Sequence, residues 1–106
     1  MNDRTQAVLA ELRQRLQKLY GPRLVRMVLF GSRARGDAKP GSDIDVLVVL
    51  RGPANPGIEI ARTGSIIADI CLRLDEVVSC VFMDEERFVR RSGPLLRNIR
   101  REGVAI

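Results

Sequence analysis

Two short stretches carry residues whose types and spacing could do chemistry. The first is Phe30-Gly31-Ser32-Arg33-Ala34-Arg35-Gly36, and the second is Ser42-Asp43-Ile44-Asp45-Val46-Leu47-Val48-Val49-Leu50. A glycine after a strand lets the backbone approach a ligand closely and adopt positive φ. Successive N–H groups in such a turn form an anion nest, to which Ser32 adds a hydroxyl while Arg33 and Arg35 add positive charge nearby. Asp43 and Asp45 stand two apart on a predicted strand, so their carboxylates share one face while Ile44 and Val46 point into the opposite layer. Such a pair suits a hard cation such as Mg²⁺, which takes one or two carboxylates together with waters and substrate phosphates. Taken alone, Gly-Ser is also an ordinary turn with solvated arginines. Two acids entering an otherwise apolar strand are harder to dismiss, because buried carboxylates need partners.

The elements that must position these residues are legible from spacing. Asp3 followed three residues on by Gln6 resembles a capping box, and Val8, Leu9, Leu12, Leu16 and Leu19 recur at helical period. A Tyr20-Gly21-Pro22 stop ends that helix. Leu24 to Phe30 reads as a buried strand running into the turn, Arg33 to Gly36 as a helical turn whose start points positive potential at it, and Asp37 to Gly41 as a loop. Asp43 to Leu50 is a second strand, apolar enough beyond the aspartates for burial on both faces. After a Gly52–Gly57 loop, Ile60, Gly64, Ile67, Cys71 and Leu74 trace one face of a second long helix. Val77 to Phe82 reads as a third strand, Asp84-Glu85-Glu86 as a helix start, and Leu95, Leu96 and Ile99 as a last short helix after Ser92-Gly93-Pro94. The order is that of a small α/β domain spanning residues 1–106, in which the short link between the first two strands lets the turn and the aspartates face one site.

Composition narrows the chemistry further. The 106 residues contain no histidine, which removes histidine-activated nucleophiles and imidazole zinc sites. Cys71 and Cys80 lack metal-ligand spacing and read as reduced, partly buried thiols of a cytoplasmic protein. No apolar run reaches the roughly eighteen residues that span a bilayer. Residues 1–42 carry nine positive and three negative charges, residues 43–83 three and six, and residues 84–106 six and four. A basic front beside a carboxylate-bearing middle suits a polyanion, and equally a solvated arginine-rich surface. With four aromatics and no aromatic-basic stripe, base stacking on nucleic acid has little support.

The two-part motif, Gly31-Ser32-x-Ala34-Arg35-Gly36 then Ser42-Asp43-Ile44-Asp45-Val46-Leu47-Val48, resembles the signature of the nucleotidyltransferase superfamily related to DNA polymerase beta. The short chain is similar to its minimal nucleotidyltransferase branch. The resemblance implies a small mixed sheet with flanking helices and a site at strand ends. It implies transfer of a nucleoside monophosphate from a nucleoside triphosphate, usually ATP, with Mg²⁺ or Mn²⁺. Gly31 and Ser32 would hold the β and γ phosphates, Arg35 would assist with phosphate charge, and Asp43 and Asp45 would bind metal and serve as the catalytic carboxylates. Many minimal members are antitoxins paired with a small helical toxin of the HEPN type, and some adenylylate that partner. Oligomer formation is left open.

One departure stands out. Active members carry a third acid on a later strand, and here that strand, Val77-Val78-Ser79-Cys80-Val81-Phe82, has none. Ser79 or Cys80 occupies the expected position, with Asp75, Glu76, Asp84, Asp69 and Glu59 as more distant substitutes. The alternative to an enzyme is therefore a nucleotide-binding antitoxin subunit that acts by contact, using the arginine-rich segment Arg87 to Arg101.

Overall fold

Two β-prone runs separated by thirteen residues (31–43) form the centre of the molecule. The computed structural model describes residues 2–106. Helix α1 (Asp3–Tyr20) and a 3-10 turn (Gly21–Arg23) lead into β1 (Leu24–Phe30), a one-turn α2 (Ser32–Arg35) and β2 (Ile44–Leu50). Helix α3 (Pro56–Leu74), β3 (Val78–Asp84), α4 (Glu85–Arg90), α5 (Pro94–Glu102) and a short β4 (Val104–Ala105) follow. The sheet order is β3-β2-β1-β4, with β1 antiparallel to β2 and β4 and β2 parallel to β3. This is the mixed sheet with flanking helices that the motif implied. No described helix is long and apolar enough to cross a membrane.

β2 is the most buried strand: Ile44 and Val46 to Leu50 are all fully buried. Ile44, Val46 and Val48 pack with Met27 and Leu29 against α1 and α3, whereas Leu47 and Val49 pack with Val28 against Leu96 and Ile99 of α5. Each such aliphatic side chain contributes about 1.5–3 kcal/mol by leaving water, so the strand that carries the aspartates is also the one most firmly held.

Four details differ from the sequence expectation. The cap of α1 is Asn2, whose side chain accepts from the Thr5 N–H at 2.8 Å, rather than Asp3. Leu19 remains 41% exposed and Tyr20 takes the core position, because its hydroxyl donates to Glu59 at 2.7 Å. The α3 face that meets the core holds Glu59, Thr63 and Ile70, and Ile60 is 57% exposed. Glu59 tolerates burial because Tyr20, Arg62 at 3.2 Å and Arg23 at 3.9 Å surround it. Finally, β3 runs two residues further than expected, and β4 adds a strand where none was read, pairing with Val28 and Leu29.

The Tyr20–Glu59 contact generates a stability prediction. Tyr20→Phe leaves a buried carboxylate oxygen without its hydroxyl donor and lowers unfolding free energy by about 2 kcal/mol. Urea denaturation of the two proteins measures it.

Candidate functional site

The turn after β1 is built around Gly31. Its φ of 75° and ψ of −159° lie in a region only glycine occupies comfortably. A Cβ placed there would stand 2.5 Å from the Asp45 Oδ2 atom. Both the backbone angle and the near contact therefore require glycine. The Gly31 carbonyl accepts from the N–H groups of Ala34 and Arg35, each at 3.1 Å. As in any first helical turn, the N–H groups of Ser32 and Arg33 lack intrahelical partners. Gly36, at φ 83°, closes the turn. With only four residues, α2 contributes those two N–H groups rather than a sizeable macrodipole.

The β1–β2 register brings the second half of the motif to the same place, since Phe30 pairs with Asp45. Asp45 is half-buried and Asp43, just before the strand, is exposed. Burial raises the Asp45 carboxyl above its ordinary value and the charge of Asp43 raises it further. Among the described residues no hydrogen bond or ion pair engages either carboxylate. Two neighbouring acids without an ion-pair partner are a donor set that fits a divalent cation, with phosphate and water oxygens completing the shell.

Arg33 and Arg35, expected together at the turn, part company. Arg33 turns inward, its side chain only 9% exposed. It donates to the Thr5 hydroxyl at 2.7 Å, the Ser42 carbonyl at 2.7 Å and Glu76 at 3.0 Å. It thereby ties the turn to α1, to the residue before Asp43 and to the approach to β3. Nothing local in the sequence signals this role, because the three partners are scattered along the chain. Arg35 stays at the surface, paired with Asp37 at 3.2 Å and Glu102 of α5 at 3.3 Å. A cavity of about 830 Å³ opens beside Arg33 toward Lys39 and Glu76, and neither Asp43 nor Asp45 lines it. The turn and the carboxylates instead form an open shelf.

The parallel register resolves which residue stands where a third acid was expected. Ser79 pairs with Asp45, exposed on the same face, while Cys80 pairs with Val46 and leans on the opposite core layer. Of the more distant acids, four are engaged elsewhere, and Asp75, exposed at the end of α3, has no ion-pair partner among the described residues. Glu76 holds Arg33, Asp69 holds Arg15 and Arg73, Glu59 holds Tyr20, and Asp84 caps α4. Among the described residues no three His, Cys, Asp or Glu side chains gather as a metal set.

Two outcomes follow from the shelf. Gly31→Ala forces the backbone into a strained region and displaces the Asp45 carboxylate, costing about 2 kcal/mol of stability, readable by urea denaturation. Asp45 binds its proton more tightly folded than unfolded, so its ionisation opposes folding at neutral pH. That opposition disappears once pH falls below the ordinary carboxylate range, where both states are protonated. Asp45→Asn without added metal therefore raises the melting temperature at pH 7, and the gain vanishes near about pH 3.

Comparison with known proteins agrees with this geometry. Residues 9–100 match the family described as a nucleotidyltransferase domain. A Methanocaldococcus jannaschii protein named "Putative protein adenylyltransferase" is 29% identical over 89 residues, 83% of each chain. A chain in a crystal structure of a toxin–antitoxin with AMP-PNP is 25% identical, with TM-score 0.61 over 88% of this chain and 68% of that one. A chain from the complex of a tri-AMPylated Shewanella oneidensis HEPN toxin with MNT antitoxin shares the fold at 22% identity, with TM-score 0.59 over 95% of this chain and 70% of that one. With the match running through the Gly-Ser turn, both aspartates and all three long strands, the chain belongs to the nucleotidyltransferase domain family.

Proposed function

We propose that this protein transfers AMP from ATP to a protein partner and serves as the antitoxin of a HEPN-type toxin. The observation that carries the reading is the Asp43–Asp45 pair, without an ion-pair partner among the described residues and set against the Gly31–Ser32 turn. Support for the partner comes from the similar proteins, one a protein adenylyltransferase by name and two from toxin–antitoxin complexes. With ATP as donor, the reading implies a cytoplasmic protein.

In this reading the Ser32 and Arg33 N–H groups and the Ser32 hydroxyl receive the β and γ phosphates, and exposed Arg35 adds positive charge at the shelf's edge. Asp43 and Asp45 hold Mg²⁺ or Mn²⁺, which when bound supplies charge neutralisation at the phosphates. The acceptor oxygen forms a bond to the α-phosphorus, the bond to the β-phosphate oxygen breaks, pyrophosphate departs and the acceptor proton passes to water. Ser79, standing beside Asp45, offers no carboxylate to take that proton, which slows the step. The same residue favours the second reading, a subunit that binds nucleotide and silences its toxin by contact.

Incubation with α-labelled ATP, Mg²⁺ and the HEPN-type partner, read by intact mass, is expected to add AMP to the partner. Asp43→Asn and Asp45→Asn each lower transfer by about a hundredfold or more. Ser79→Asp raises it by about a hundredfold, the lower end of the usual range for a placed base. Full toxin neutralisation by the folded Asp43→Asn, Asp45→Asn double variant, with no AMP added by the parent, would establish the contact reading instead.

A further inference from the structure

β3 is an edge strand with its backbone open. The Ile44 N–H donates to the Val77 carbonyl at 2.8 Å, and in a parallel ladder alternate residues turn both backbone groups to the same neighbour. Ser79, Val81 and Met83 are thus bonded toward β2, and Cys80 and Phe82 present N–H and C=O outward. The Val78 N–H is already taken by the Cys71 sulfur at 3.4 Å. Edge strands are usually defended by lysine, proline or a bulge. Val78 to Asp84, reading Val-Ser-Cys-Val-Phe-Met-Asp, has no lysine and no proline, and its pairing with β2 is unbroken.

The two faces of this edge differ. On one, Ser79 stands exposed in line with Asp45. On the other, Cys80 and Phe82 form one wall of an apolar groove of about 330 Å³, whose second wall is Ile60, Gly64 and Ile67 of α3. Ile67 and Cys80 are half-buried against the core, and Ile60 at the rim is left exposed. Acids stand at both ends: Asp75 before the strand and Glu85 after it, neither with an ion-pair partner among the described residues.

We propose that β3 is the docking edge for the acceptor protein, which adds an extended segment as a fifth strand. Its alternate apolar side chains seat in the α3–β3 groove, basic residues at its two ends meet Asp75 and Glu85, and a hydroxyl-bearing side chain between them stands beside Ser79. At strand spacing, the residue opposite Ser79 lies about 10 Å from Asp45, within reach of a long side chain such as tyrosine. The hydroxyl's role rests on the AMP-transfer reading; the docking edge does not. A second copy fits poorly, because antiparallel pairing of β3 with itself would set acidic end against acidic end.

The probe is a blocked peptide, Arg-Val-Thr-Val-Tyr-Val-Thr-Val-Arg, whose valines share one face and whose tyrosine shares the other with the threonines. With saturating peptide, amide hydrogen exchange at Cys80 and Phe82 in the full chain is expected to slow by about tenfold or more. Replacing both arginines of the peptide with glutamate weakens binding by about fivefold. Ile60→Arg, at an exposed position, weakens it by about tenfold with an unchanged melting temperature. Binding that leaves those two amides unprotected, no binding at millimolar peptide, equal binding of the glutamate peptide, or protection of the same amides by self-association would each overturn the docking edge. With Mg²⁺ and ATP added, AMP on the peptide's tyrosine supports the whole proposal. Protected amides without transfer leave the edge standing and sink the transfer reading.

Discussion

Pairing of Phe30 with Asp45 at the open end of the central hairpin is the constraint on which the rest of the site depends. Because β1 and β2 run antiparallel, the residue after one strand and the carboxylate near the start of the other must meet. The meeting is so close that only a residue without a Cβ fits at position 31. The apolar remainder of β2, buried by helices on both faces, fixes that register, since a slip by one residue would turn Leu47 and Val49 into the opposite layer. The site is thus held in place by aliphatic packing that never touches it.

Arg33 supplies a second constraint of a different kind. Burying a guanidinium is costly unless its donors find partners. Here the two terminal nitrogens reach the first helix, the loop before Asp43 and the approach to β3, while Nε has no partner among the described residues. The loop from Asp37 to Gly41 has little apolar content to hold it. A hydrogen bond to the Ser42 carbonyl therefore does what packing does elsewhere. Arg35, two residues on, differs only in facing outward, where a surface ion pair is worth little.

How much of this was legible in the sequence depended on the range over which each signal acts. Strand-turn-strand around Gly31 and the nearness of Asp43 to Asp45 were readable, because turn chemistry and short spacing are local. The partition of β2 between two layers was readable from its unbroken apolar run. The inward course of Arg33 was not, since its partners at Thr5, Ser42 and Glu76 are distant in the chain. Nor could spacing choose between Ser79 and Cys80, which differ by one residue of register, a quantity set by the pairing of β3 with β2. The α3 stripe held at Ile67, Cys71 and Leu74, which pack on the core, and failed only near the helix start. Tyr20 and two arginines made Glu59 acceptable in the interior, so Glu59 and Thr63 turn inward there and Ile60 turns out. Strand β4 was too short for any periodicity to show.

The two edges of the sheet are unlike. On the β4 side, the strip ending at Ile106 is fastened by the Ile106 N–H to the Met27 carbonyl at 3.1 Å and by Arg13 to the Ile106 carbonyl, whereas β3 has no such cover among the described residues. Head-to-tail growth of a sheet from molecule to molecule needs a free border on each side of every unit. Here the second border is β4, only two residues long, and very short edge strands are one of the ways proteins blunt such borders. The brevity of β4 therefore leaves an incoming strand little ladder to join on that side, so growth through the long β3 edge has no equal counterpart to continue it.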